Sequence, residues 1–232
     1  MDDTSPLPSP LLASVPGLVH GFGRRFPGPR AVAREAAQAM YADHGRVFFL
    51  RQVHGCRAVT PPWDEPPDAD ASSTESDGSL LAIETADCLP VLIVDPVHHR
   101  VAAAHAGWRG TAARVAPAAL DALIQRGSKV DDLLVALGPS IGPCCYEVGP
   151  DVVEAFGPDA SRFFRPGSGD RMLLDVAAAN RAQIEGMGVR PASIDHINLC
   201  TRCRGDLFFS YRRDGANAGR MISVIGFSRP SA

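Results

Sequence analysis

Three side chains with the chemistry to hold a metal ion, or to act as a nucleophile with its base, are His54, Cys88 and His105. Each lies near glycine or proline: Val53-His54-Gly55, Cys88-Leu89-Pro90 and His105-Ala106-Gly107. Each therefore falls where the chain turns and a side chain can face a cleft. One thiolate and two imidazoles form a donor set that suits Zn²⁺. Three protein ligands leave the fourth tetrahedral position open, the arrangement of catalytic rather than structural zinc, and water at such a position has its pKa lowered to about 7. The separations along the chain, 34 and then 17 residues, do not form a compact metal motif, so the same residues also read as a buried thiol with two hydrogen-bonded histidines. A further reading makes Cys88 a nucleophile activated by His105 or His54, with Asp87 as the orienting acceptor of a metal-free Cys/His hydrolase.

Other reactive groups have plainer expectations. Cys200-Thr201-Arg202-Cys203 is a lone CxxC; the lack of a second one argues against a structural zinc ribbon, and Cys200 reads as a core residue at a strand end. Cys144 reads as buried packing. His98-His99 reads as a solvated turn, His20 and His196 as structural, and Asp70 as solvated charge in a long polar loop.

Strands and helices must bring these residues together. Apolar runs predict strands at 18–22, 47–50, 80–84, 91–94, 100–104, 133–137, 194–199, 207–210 and 221–227. Helices are predicted over Ala31–Ala42, from Gly107-Trp108-Arg109-Gly110-Thr111 to about Arg126, over 151–156 and over 174–187, with Thr111 a possible N-cap and Gly127 the C-cap of the second. Residues 61–79 are Pro-rich and polar and read as a loop, of a length that is often functional. Residues 1–17 are expected to form a flexible lead-in and 18–232 a single domain. The alternation of strands and helices without a linker or repeat points to a mixed α/β fold, with mixed sheets surrounded by helices.

Composition bounds the function. The 232 residues, 45% hydrophobic and 21% charged, can bury a core without staples. The net charge of −3 gives no general attraction for nucleic acid. No apolar run approaches the ~20 residues that span a bilayer, and the acidic start carries no signal-peptide pattern. A cytoplasmic monomer is the expectation, its six cysteines held as thiols or ligands.

Five blocks carry a resemblance: RQVHG (51–55), ETADCLPVLIVDP (84–96), AAAHAGWRGT (102–111), LGPSIGPCCYEVG (137–149) and FFSYRRDG with a following GR (208–220). In that order they closely resemble the laccase-domain family, also called multicopper polyphenol oxidoreductases and described as purine nucleoside phosphorylases. The resemblance covers about residues 18–228. It implies a zinc site on His54, Cys88 and His105 and action on purine nucleosides: phosphorolysis of adenosine, inosine and methylthioadenosine, and deamination of adenosine. It also carries alternatives, a copper-dependent oxidation of phenols and a role in cell-wall editing. A multicopper site needs more histidine ligands than the seven present, two of which share one turn. The chain departs from the family at Arg24–Arg30, where members commonly carry a Gly-Gly-Val-Ser-like stretch.

Phosphorolysis calls for bidentate anion donors, which guanidinium provides. Arg109, at the start of the helix after His105, is the first candidate, because helix N-termini also favour anions. Arg51, Arg212 and Arg213 lie in matching blocks. Asp87 could bond a ligand or orient a metal-bound histidine, Cys145 could ligate or tune the metal, and Trp108 and Tyr211 could stack on a purine.

Overall fold

Along the central strands, neighbouring side chains are buried on opposite faces and meet different partners. The computed structural model describes residues 5–230. Its strands are β1 (Leu18–Gly21), β2 (Arg46–Phe48), β3 (Ala58–Val59), β4 (Ala71–Thr74), β5 (Ser79–Thr85), β6 (Leu89–Asp95) and β7 (Arg100–Ala106), then β8 (Leu134–Leu137), β9 (Glu147–Val148), β10 (Phe164–Pro166), β11 (Met172–Leu174), β12 (Ile194–His196) and β13 (Met221–Phe227). Its α-helices are α1 (Arg30–Met40), α2 (Trp108–Ala112), α3 (Val115–Ile124), α4 (Pro150–Ala155), α5 (Val176–Gly186) and α6 (Tyr211–Asp214).

Two sheets stack face to face. One runs in the order β1-β13-β5-β2, the other β12-β8-β6-β7-β4-β3, and β10-β11-β9 form a small third sheet. Both large sheets are mixed: β2 pairs parallel to β5, and β12–β8 and β3–β4 are parallel, while the remaining pairs are antiparallel. Leu81 and Ile83 of β5 join Leu92 and Val94 of β6 and Ala103 of β7 in the core between the sheets. The alternate residues of β6 and β7, among them Val91, Ile93, Ala102 and Ala104, face Leu120 and Leu123 of α3 and Ile184 of α5. Leu80 and Ala82 of β5 pack with Tyr41 below α1. The layers are thus helix, sheet, sheet, helices, and each fully buried Leu or Ile contributes about 1.5–3 kcal/mol. This is the mixed α/β fold expected. Among the described residues, no helix is long and apolar enough to cross a membrane.

Five local expectations are corrected. The helix expected from Gly107 to about Arg126 breaks at Arg114, which has φ +63°, between α2 and α3. Continuous helix would put Pro117 in its interior, with no N–H to donate and a ring against the carbonyl of Ala113; restarting at Val115 leaves Pro117 in a first turn, where it is tolerated. The loop expected over 61–79 contains β4, every residue of which is buried. It pairs edge to edge with the Ala-rich β7, and its own residues are Ala, Ser and Thr, so no large apolar side chain betrays the strand. The strand expected at 207–210 is irregular chain leaving a turn at Leu207, and β12 stops at His196. Of the lead-in, residues 1–4 lie outside the described residues. The rest packs: Leu7 pairs with Phe22, and Leu12 is fully buried against the inter-sheet core.

Candidate metal centre

Strand register explains how distant residues meet. In the β6–β7 hairpin, Leu89 faces Ala106 and Pro90 faces His105, so Cys88, one residue before β6, falls beside Gly107. On the other side of β7, Ala71 of β4 faces Ala104, which sets Asp70 beside His105. The His105 N–H indeed donates to the Asp70 carbonyl at 2.7 Å. His54 arrives from the segment after β2. Gln52 fixes that segment by donating to the Glu84 carbonyl and accepting from the Glu84 N–H, both at 2.8 Å.

The three sequence-derived ligands converge. The donor atoms of His54, Cys88 and His105 all lie within 4.8 Å of one another. Cys88 Sγ and His54 Nε2 are 4.0 Å apart, and the two imidazole rings meet edge to face at 4.8 Å between centroids. His105 is buried, Cys88 half-buried and His54 exposed, so the group opens to solvent on one side.

Asp70 organises the group. It is fully buried, and its Oδ1 accepts from His105 Nδ1 at 2.8 Å and from the His54 N–H at 2.9 Å. Its Oδ2 accepts from the Gly55 and Val53 N–H groups at 2.7 and 3.1 Å. Binding Nδ1 leaves His105 Nε2 as the ligand atom, the outer support common to metal-binding histidines. The histidine-orienting role considered for Asp87 thus falls to Asp70. Asp70 is not solvated loop charge. Asp87 does not touch a histidine: it accepts from the Thr201 hydroxyl at 2.6 Å and the Arg212 N–H at 2.7 Å.

Charge within the cluster is self-consistent. Burial disfavours the Cys88 thiolate, but His105 and His54 beside it outweigh that and bring the thiol down to about 6. Burial likewise disfavours a charged His105, yet Cys88 and Asp70 raise it to about 9. The two opposite shifts favour a thiolate beside an imidazolium. A soft divalent cation would replace the imidazolium proton and meet a thiolate already formed. The donor set and the carboxylate behind His105 fit zinc.

The arginines divide. Arg51 is exposed and pairs with Asp68 rather than facing the cluster. Arg213 is spent on Asp214 and on the carbonyls of Thr201, Arg202 and Phe208. Arg109 lies over Trp108 at 4.2 Å, and Arg212 lies over Tyr146 at 5.3 Å while donating to the Glu147 carbonyl. With α2 only one turn long, the helix-dipole argument for an anion at Arg109 lapses, and its guanidinium is what remains. Tyr146, half-buried, lies among the charges of Cys88, Asp87, Arg212 and Arg109; burial and the nearby anions push its phenol up, so it stays protonated.

Cys145 does not join this centre. It lies with Cys144, Cys200 and Cys203 in a separate cluster, where Cys144 is exposed and Cys200 half-buried, contrary to the buried-packing readings of both. His98 bonds Asp95 and His99 stacks on Phe227 at 4.4 Å, so that turn is anchored as well as solvated. His20 accepts from the Ser9 N–H and is structural, as expected.

Fold and donor set together define a class: a mixed α/β sandwich with a solvent-open His-Cys-His group backed by a buried carboxylate. A family model described as multi-copper polyphenol oxidoreductase laccase matches residues 29–228, and the chain belongs to that family. It is 38% identical over 205 residues to an adenosine deaminase, RL5, from an unknown prokaryotic organism, covering 82% of this chain and 78% of that one. It is 37% identical over 219 residues to a purine nucleoside phosphorylase of Deinococcus radiodurans, covering 88% and 81%. The crystal structure of YlmD from Geobacillus stearothermophilus superposes with a TM-score of 0.85 at 31% identity, over 95% of this chain and 94% of that one.

Proposed function

We propose that the protein is a zinc-dependent purine nucleoside enzyme whose metal is held by His54, Cys88 and His105. The observation that carries this reading is the convergence of those three donors on one point, with Asp70 directing His105 Nε2 toward it. The names of the relatives supply the substrate class, a purine nucleoside with phosphate and adenosine with water; the family resemblance narrows the first to adenosine, inosine and methylthioadenosine. Zinc at this position would supply Lewis-acid polarisation and a lowered water pKa.

The chain's own residues have separable roles in this reading. Asp70 keeps His105 in one tautomer and fixes the Val53–Gly55 turn that presents His54. Arg109 and Arg212 flank Tyr146 beside Cys88, where two guanidinium groups favour phosphate. Tyr146 is a protonated hydroxyl at neutral pH, available to donate a hydrogen bond to substrate. In phosphorolysis, phosphate oxygen replaces the base at the anomeric carbon and the base leaves with a proton; in deamination, water replaces the amine and ammonia leaves.

The test is to measure bound metal, then the release of adenine and hypoxanthine with phosphate and of ammonia from adenosine. Activity is expected to follow metal content and to vanish in Cys88→Ala. Full turnover in that variant, or in metal-stripped protein, refutes the assignment. The lowered Cys88 pKa beside His105 favours one second reading, a thiol nucleophile. That reading requires turnover in chelator that is lost on alkylation. The copper-dependent oxidation of phenols named for the family is distinguished by a phenol assay on protein made with and without copper.

A further inference from the structure

The CxxC at Cys200–Cys203 has no second CxxC in the chain, but the fold brings it a different partner. Cys144-Cys145, in the turn after β8, lies against it, and the four Sγ atoms are all within 4.8 Å of one another. Cys203 Sγ is 3.4 Å from Cys145 Sγ and 3.7 Å from Cys144 Sγ. A tetrahedron of thiolates about 2.3 Å from a zinc ion has edges of about 3.8 Å, so these separations are those of one shared cation. They do not single out a disulfide partner, because Cys203 is close to two thiols at once.

We infer that Cys144, Cys145, Cys200 and Cys203 form a second, closed metal site that binds a zinc-type divalent cation independently of the His54–Cys88–His105 centre. Four thiolates saturate a tetrahedral ion and leave no open position, so this site is structural rather than catalytic. The surroundings suit thiolate charge. The Gly142 N–H donates to Cys200 Sγ at 3.3 Å, and the Arg202 guanidinium donates to Cys145 Sγ at 3.5 Å. Such outer donors stabilise anionic sulfur and hold its direction.

The placement gives the cation something to hold. The 138–146 turn and the 198–204 segment otherwise meet through a few main-chain bonds, Thr201 N–H to the Ser140 carbonyl at 3.0 Å and Ser140 N–H to the Leu199 carbonyl at 3.3 Å. Both segments wall the first centre. Tyr146 follows Cys145, and Thr201, next to Cys200, bonds Asp87, the residue before Cys88. A cation on the four sulfurs would staple Tyr146 and the Asp87 turn into one frame.

The test uses the unmutated protein first, purified under reducing conditions. Of its six cysteines, only Cys56 belongs to neither group. With zinc present, alkylation mapped by mass spectrometry is expected to mark Cys56 alone, and chelator is expected to release the other five. In Cys88→Ala protein, about one zinc per chain should remain, and cobalt substituted there should show the strong sulfur-to-cobalt absorption of a four-thiolate site; Cys203→Ser should lose that ion while keeping metal at the first centre. Labelling of Cys144, Cys145, Cys200 and Cys203 in the presence of zinc overturns the inference, as does their recovery as disulfides from protein kept reduced with zinc present. Neither result depends on turnover, so the first centre's function stands or falls separately.

Discussion

Four hydrogen bonds converge on the two oxygens of Asp70, and three of them come from successive backbone N–H groups at Val53, His54 and Gly55. His54 needs that support, because it holds φ +63°, where a non-glycine residue is strained. Burial works against the carboxylate, but His105 and those N–H groups hold its pKa below the usual range. Asp70→Asn keeps the shape and presents a donor where donors already converge; metal affinity is expected to fall by roughly 10–100-fold, read by chelator competition. Gly107 matters for a different reason. A Cβ there would meet Cys88 Sγ at 2.9 Å and His54 Cδ2 at 3.1 Å. Gly107→Ala should therefore lower metal occupancy at the first centre, and alanine is also a poorer N-cap for α2 than glycine. Unchanged metal binding in that variant would show that the thiol moves aside freely.

The short α2 connects His105 to the helical layer, and α5 holds it there. Asn180, fully buried on α5, donates to the Thr111 hydroxyl at 2.8 Å, and Thr111 in turn donates to the Gly107 carbonyl at 2.9 Å. Gln183 donates to the Thr111 carbonyl at 3.0 Å. Asn180→Ala removes the first link and is expected to cost about 1–3 kcal/mol in denaturant unfolding. It should also weaken activity through the Gly107 turn without altering the ligands. β4 shows why register matters as much as strand formation. Side chains alternate along a strand, so a one-residue slip of β4 on β7 would exchange Asp70 for Ala69 or Ala71 beside His105.

Across the molecule, α1 is tied to the sheet below it by charge. Arg30 and Arg34 both bind Glu84, whose side chain is 2% exposed at the end of β5. The Arg24–Arg30 segment thus ends in this anchor. Burial opposes ionisation of Glu84, but the two guanidinium groups prevail and depress its pKa. A carboxylate depressed on folding contributes stability above its unfolded pKa of about 4.3 and loses it as pH falls through the lower folded value. Glu84→Gln should cost about 1–3 kcal/mol at neutral pH, since the arginines are partly exposed, and the difference from the unmutated protein should shrink below about pH 4. Urea midpoints measured from pH 3 to 7 check the sign.

Residue type and nearby turns made His54, Cys88 and His105 candidates, but His20, His44 and Cys144 also sit beside glycine or proline, and it was the ordered blocks resembling the family that singled out these three. The long apolar strands were legible for a similar reason: β5, β6 and β7 are buried on both faces, so their sequences are nearly continuous in Leu, Ile, Val and Ala. Asp70 was not legible. A carboxylate in a polar, Pro-rich stretch looks solvated until β4 is laid on β7, and β4 is built of residues too small to announce a strand. The four-cysteine cluster was hidden in the same way, because its halves lie more than 50 residues apart and the main-chain pairing of their segments runs through the Ser140–Cys200 bridge. Local pattern records which groups can do chemistry; pairing between strands far apart in the chain, which no local pattern encodes, settles which of them share a point in space.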